Sequence, residues 1–289
     1  MTDSSRRSPL RIALSIVALT LAAAAGFFIW QGFYPVRAAA GWNVQVLESG
    51  VKKAASIVPL PDGGLLVSQE LKDGQGNILR ITPSGERKVV IDGLSKPDGL
   101  IAARGGWVFS QEADDKPVQM LQDGQLSTLF QGNSVQGLWD DGDALYAIED
   151  RHDSGRLLRY RWSDGELSVV RDRLDEAESV TRCTDGRLLY TQKNLGKLRQ
   201  LSDDGNDPEI LGGLNKPTFV MCDARGIWIS EDSTHRARLL LWNGKDEPQT
   251  VLSFLKAPQA IVADGKGGYL LAEGGRNRVL HLSPAQQQE

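Results

Sequence analysis

Residues 96–112 read KPDGLIAARGGWVFSQE. A Lys-Pro turn leads into a short apolar strand over residues 100–103. The pair Gly105-Gly106 supplies a tight turn, and a second strand, residues 107–110, runs up to the acid Glu112. The same order returns in KPTFVMCDARGIWISED (216–232) and in APQAIVADGKGGYLLAEG (257–274). With the first strands laid on one column, that column reads Ala55, Asp98, Gln136, Glu178, Thr218 and Gln259, at spacings of 43, 38, 42, 40 and 41 residues. Six units at a period near 40 mark a closed repeat architecture.

The rest of each unit follows one plan. A third strand (for example residues 78–82, 157–162 and 239–242) is followed by a Ser-Gly or Asp-Gly turn in several units. A short fourth strand (88–91, 126–130, 167–170) ends the unit. Four short strands joined by tight turns, six times over, specify an all-β six-bladed β-propeller with four-stranded antiparallel blades. The last unit has three strands, and residues 44–47 (VQVL) form a spare strand of the fourth type. That strand is expected to complete the last blade and close the ring, which removes free sheet edges. The expected division is therefore residues 1–40 as a targeting segment and 41–289 as the propeller.

Residues 12–30 are 19 consecutive uncharged residues preceded by Arg6, Arg7 and Arg11. That is long enough to span a bilayer, with the arginines on the cytoplasmic side. The rival is a cleaved signal peptide with Ala38-Ala39-Ala40 as the small-residue site; the length of the apolar run favours an uncleaved signal anchor. Either way the propeller is expected outside the cytoplasm, in the periplasm of a bacterium, tethered to the inner membrane or secreted. The first 40 residues carry a charge of +3, leaving the body at −7 against a whole-chain total of −4. A mildly acidic body argues against a nucleic-acid partner.

Cys183 and Cys222 fall in equivalent strands of neighbouring units but one residue out of step. In an oxidising compartment a disulfide is possible; strand side chains alternate faces, so the favoured expectation is two buried thiols pointing different ways.

The start of each first strand lies beside the end of the second, so one face of the disc collects two sets of residues. The second-strand ends read Glu70, Glu112, Glu149, Lys193, Asp232 and Gly274, preceded in the fifth unit by Glu231, with His152 and His235 in loops just beyond. Oxygen ligands around a channel suit a hard divalent cation, calcium above all and zinc as the other candidate. Such an ion polarises a carbonyl or activates water. The candidate metal ligands are Asp98, Glu178 and Gln136, with Asp98 the candidate catalytic group. Thr218, Gln259, Glu70, Glu112, Glu149, Glu231, His152 and His235 are candidate ligand contacts. The competing reading for the strand-end acids is structural: bonds to turn amides or pairing with nearby arginines.

The segment Pro97-Asp98-Gly99-Leu100 with Gly106-Trp107-Val108 resembles the stretch of the gluconolactonase and senescence-marker-protein (regucalcin) family that carries its metal-binding, catalytic Asp. Glu178-Ser179-Val180 is similar to the stretch around that family's metal-ligating Glu. The likeness extends over residues 44–284 and reaches strictosidine-synthase-like and NHL-type propellers. It implies the propeller fold, a divalent metal held by Asp98 and Glu178, and lactone or ester hydrolysis. The family's other two ligands are Asn of the inner column, where this chain has Gln136, Thr218, Gln259 and Ala55. The alternative is a non-catalytic propeller acting as a protein-interaction scaffold.

Overall fold

The computed structural model describes residues 9–33, 35–232 and 236–285. Two units are present. The first holds an α-helix, Pro9–Phe33, whose stretch Pro9–Trp30 is long and apolar enough to cross a membrane by length and composition. The second, from Val36 onward, is a six-bladed β-propeller.

Each blade is an antiparallel sheet in chain order. Blade one is Ala54–Pro59, Leu65–Gln69, Gly76–Ile81 and Arg87–Leu94. Blade two is Leu100–Ala103, Gly106–Phe109, Lys116–Gln122 and Gln125–Gly132. Blade three is Val135–Asp140, Ala144–Glu149, Gly155–Arg161 and Leu167–Leu174. Blade four is Ala177–Arg182, Leu188–Gln192, Lys197–Gln200 and Glu209–Leu211. Blade five is Pro217–Asp223, Gly226–Glu231, Ala237–Trp242 and Gln249–Leu255. Blade six takes three strands from the C-terminal end, Pro258–Ala263, Tyr269–Glu273 and Arg278–Pro284, and its fourth, Trp42–Ser49, from before blade one. The ring therefore closes through the strand expected to close it.

The inner strands are buried on both faces, because each blade packs against two neighbours. In blade one, Val67 faces the cluster shared with blade six, while Leu66 faces the cluster shared with blade two. All six junctions have such an apolar cluster. Alternate side chains along a strand thus feed alternate junctions. The largest filling is between blades five and six, where Trp228 and Tyr269 lie 4.4 Å apart, with Trp42 edge-on to Trp228.

Two expectations are corrected here. The propeller begins before residue 41: Arg37 and Ala38 pair with Ser253 and Leu252 on the outer edge of blade five, and the Ala39 N–H donates to the Val251 carbonyl. Val36 and Ala38 also pack on the apolar cluster beneath. The two cysteines form a disulfide, with Cα atoms 5.0 Å apart. The out-of-step parity that seemed to separate them is what brings them together. Neighbouring blades meet through opposite faces, so facing positions in adjacent repeats must differ by one in the strand alternation.

The disulfide closes a loop of 39 residues between blades four and five. Cys183→Ser with Cys222→Ser is expected to lower stability by roughly 3–4 kcal/mol in guanidinium denaturation. Dithiothreitol should lower the melting temperature of the wild type and leave that of the double variant unchanged.

Candidate functional site

One backbone device places the inner column. Two residues ahead of each column position stands a non-glycine residue with positive φ: Lys53, Lys96, Ser134, Glu176, Lys216 and Ala257. Its carbonyl accepts the N–H of the residue just past the second strand, respectively Glu70, Glu112, Asp150, Lys193, Asp232 and Gly274. The left-handed turn swings the chain from the rim to the axis, and the hydrogen bond ties it to its own blade. The ladder then slips by one residue at the column position in blades one, three, four, five and six. Such a bulge re-aims a side chain, here toward the channel.

Second-strand hydroxyls occupy the gaps these bulges leave. Ser68 Oγ accepts the Ser56 N–H at 2.9 Å, and Thr191 Oγ1 accepts the Ser179 N–H at 3.1 Å. Ser230 Oγ donates across the blade junction to the Gln259 carbonyl at 2.8 Å. A Cβ on Gly99 would meet Ser110 Oγ at 2.3 Å and the Gln136 carbonyl at 2.5 Å, and one on Gly137 would meet the Glu178 carbonyl at 2.4 Å. The glycines after Asp98 and Gln136 therefore let three successive blades close in and draw Asp98, Gln136 and Glu178 around the axis.

Those three, with Thr218 and Gln259, line the inner end of a channel of about 1040 Å³. Asp98 and Glu178 are 6% and 1% exposed. Glu70, Asp98 and Glu112 bring carboxylate oxygens within 4.8 Å of one another. Lys96 Nζ pairs with Glu112 and lies 3.5 Å from Glu70; Lys193 Nζ pairs with Glu178 and lies 3.5 Å from Asp232. The Lys193 contact is an ion pair rather than an aligned hydrogen bond, and Glu178 Oε2 and Gln136 Oε1 are buried acceptors without a hydrogen-bond donor among the described residues.

Negative charge exceeds positive charge in this cluster, and the titration behaviour reflects it. Burial, then Glu70, Glu112 and Glu178, push the Asp98 carboxyl well above the usual range. Burial also raises Glu178 well above its ordinary value, with Lys193 opposing and Asp150 adding to the shift. Glu70 is raised by burial, offset in part by Lys96. Burial opposes the charged form of Lys193, but Glu178 and Asp232 outweigh it and keep the ammonium protonated.

The expected strand-end column needs correction in blade three. The hydrogen-bond pattern makes Asp150 the counterpart of Glu70 and Glu112; Glu149 falls one position earlier, beside Gln69, Gln111, Gln192, Glu231 and Glu273. That earlier set holds the blades together. Glu149 and Glu231 are fully buried and accept the linker N–H groups of Asn133 and Asn215 at 2.9 and 2.8 Å. Each is also paired through two oxygens with a third-strand arginine, Arg156 and Arg238. They are joined to the fold rather than turned to a ligand. His152 sits on an exposed loop with Nδ1 2.6 Å from Asp175, away from the channel wall. His235 lies outside the described residues. The metal ligands expected as Asp98, Glu178 and Gln136 share the channel's inner end, but the tight carboxylate group joins Asp98 to Glu70 and Glu112 instead. Asp150 was the missed member; the repeated Glu-Asp pair at 149–150 and 231–232 was the available signal.

No family model and no curated protein matches the chain. Solved structures do. The chain is similar to a gluconolactonase from Xanthomonas campestris at 14% identity, with a TM-score of 0.71, over 87% of this chain and 95% of that one. It is similar to a PQQ-bound aldose sugar dehydrogenase from Streptomyces coelicolor at 17% identity and a TM-score of 0.64, over 86% and 99% of the two chains. It is also similar to a chain of a nidogen/laminin complex at 16% identity and a TM-score of 0.58, over 70% and 83%. At such identities the likeness establishes the shared propeller, a fold that carries unrelated functions.

Asp150 provides a test of the charge imbalance. Burial first, then Glu112, lifts its pKa to about 7, with Lys193 opposing. A carboxyl whose pKa is raised on folding stabilises the native state below its unfolded value, and that contribution is lost as pH rises through the folded value. Without added divalent ions, stability is expected to fall between about pH 4 and pH 7, by at most about 4 kcal/mol from this group. Asp150→Asn should flatten that slope in urea titrations taken at a series of pH values.

Proposed function

We propose that the propeller hydrolyses a lactone or ester bond at the Asp98–Glu178 end of its channel, with a hard divalent cation held by the acid cluster. The observation that carries this reading is Glu178: almost fully buried, with Oε2 lacking a donor, at the inner end of a channel open to solvent. A charge buried without sufficient partners is costly and calls for a compensating ligand. The available donors are oxygen throughout: Glu70, Asp98 and Glu112 lie within 4.8 Å of one another, and Glu178 and Gln136 line the channel with Asp98, which suits calcium better than zinc. A bound cation supplies positive charge to a developing oxyanion and acidifies water.

The chain's own groups do the rest. Asp98, whose proton affinity is raised by burial and by Glu70, Glu112 and Glu178, is the chain's proton carrier in this reading. Water adds to the carbonyl carbon, the acyl C–O bond breaks, and Asp98 passes the water's proton to the departing alkoxide oxygen. Lys193 holds Glu178 in place by its ion pair, and Gln136 offers an acceptor that orients the bound molecule. The similar gluconolactonase fold supports this choice of chemistry.

A second reading is favoured by Lys96 and Lys193. Their ammonium groups already neutralise part of the acid cluster, which suits a non-catalytic propeller that binds a small ligand or a protein. Calcium titration separates the two. Under the hydrolase reading, calcium at about 100 times its dissociation constant adds roughly 2.7 kcal/mol of stability. Asp98→Ala and Glu178→Ala should abolish that gain, and Asp98→Asn should lower lactone hydrolysis at least a hundredfold. Unchanged calcium affinity in both alanine variants would favour the second reading.

The propeller is assigned to the extracytoplasmic side of a membrane, in the periplasm of a bacterial host, anchored by its N-terminal helix. The disulfide supports an oxidising compartment. Cleavage at Ala38–Ala40 would cut through the strand that Arg37 and Ala38 add to blade five, which supports an uncleaved anchor. Intact mass measurement of the membrane-extracted protein should therefore retain residues 12–30; a mature chain starting near residue 41 would make the helix a signal peptide.

A further inference from the structure

The channel has two ends of different character. At the acid end its wall includes Asp98, Gln136 and Glu178 but none of Lys96, Lys193, Glu70 or Glu112. Those four lie outside it as straps: Lys96 joins the acids of blades one and two, and Lys193 joins those of blades four and five. At the other end the wall is formed by the ends of first strands, such as Ala102 and Ala263, and by the turns that follow them, including Asp62 and Lys266. The two ends are one strand length apart, roughly 15–20 Å at about 3.3 Å per residue.

Between the ends the lining is mainly apolar. Val58, Leu138, Phe219 and Val262 contribute to it, and the space continues between blades six and one, where Leu47 and Leu270 line it. His281 stands in that branch, its Nε2 held 2.9 Å from Asp264 Oδ2. A cavity of about 1040 Å³ is at the upper limit of sites that enclose drug-sized molecules. It is far larger than one sugar ring requires, and most of its lining side chains are apolar.

We infer that the channel takes an amphiphilic lactone or ester, admitted from the turn face opposite the acid straps. Its polar head reaches Asp98, Gln136 and Glu178, and its hydrocarbon chain lies along the apolar section toward the cleft between the last and first blades. This deepens the hydrolase reading and rests on it for the identity of the head group. The orphan acceptors Gln136 Oε1 and Glu178 Oε2 demand hydrogen-bond donors or a cation at the head. The apolar wall demands a chain.

The test uses the full chain in lipid nanodiscs, with empty discs subtracted, and measures both binding and hydrolysis of γ-butyrolactone, γ-octalactone and glucono-1,5-lactone. Each buried methylene multiplies affinity roughly fourfold, so γ-octalactone, with four more carbons, should bind about two-hundredfold tighter than γ-butyrolactone. Ala102 and Ala263 are exposed at the turn mouth. Ala102→Trp and Ala263→Trp should each weaken γ-octalactone binding at least tenfold while leaving the melting temperature near that of the wild type. Equal affinity for the short and long lactones, or no effect of either Trp variant in folded protein, overturns the inference. Tight, chain-dependent binding without hydrolysis sinks the hydrolase reading and leaves the amphiphile channel standing. Hydrolysis of glucono-1,5-lactone with no chain-length preference does the reverse.

Discussion

The molecule depends on one hydrogen bond made six times: the carbonyl of a left-handed linker residue accepting the N–H just past the second strand. Non-glycine residues at positive φ are strained, and this hydrogen bond helps to hold each of them there. It decides where each first strand starts, and hence which side chain stands on the axis. It also sets the residue past the second strand directly beside that side chain. Two rings of side chains, one on the axis and one at the strand ends, are therefore brought together by backbone alone. What chemistry they carry is left to residue identity.

Residue identity divides the ring. Blades one to four supply Glu70, Asp98, Glu112, Asp150 and Glu178, with Lys96 and Lys193 set among them. On the far side Thr218 and Gln259 are neutral, and Ala55 adds nothing polar. The acids are buried and crowd each other, so charged forms are disfavoured and proton affinities rise. A lysine on each of two edges relieves part of this. The remainder is a standing demand for positive charge or for hydrogen-bond donors, which an apolar packed core does not have. The buried Glu149, Glu231 and Glu273 differ in kind. Each has an arginine and a backbone N–H at hand, so charge is balanced where it is buried.

Much of this was legible in the chain. The period near 40, the glycine turns and the spare N-terminal strand are local features, and local features specify the blade and its closure. Asp98, Gln136 and Glu178 were found as a column because repeats align by simple counting. Counting misled in two places. In blade three it took Glu149 for the rim position that belongs to Asp150, because two adjacent acids give no sign of which one carries the rim role. For the cysteines it applied strand alternation within one sheet to residues in two sheets that face each other.

By itself, then, the sequence determined the fold class, the closure of the ring and the residues that stand on its axis, because turns, strand alternation and repeat period act over short distances along the chain. Tertiary structure alone decided which acids meet, which are neutralised by arginine or lysine, that Cys183 bonds to Cys222, and that one channel is lined both by the acids of the inner column and by the turns that follow the first strands. Those outcomes depend on contacts between blades some 40 residues apart. The distance between two side chains there is set by how neighbouring sheets pack, and no pattern within one repeat encodes it.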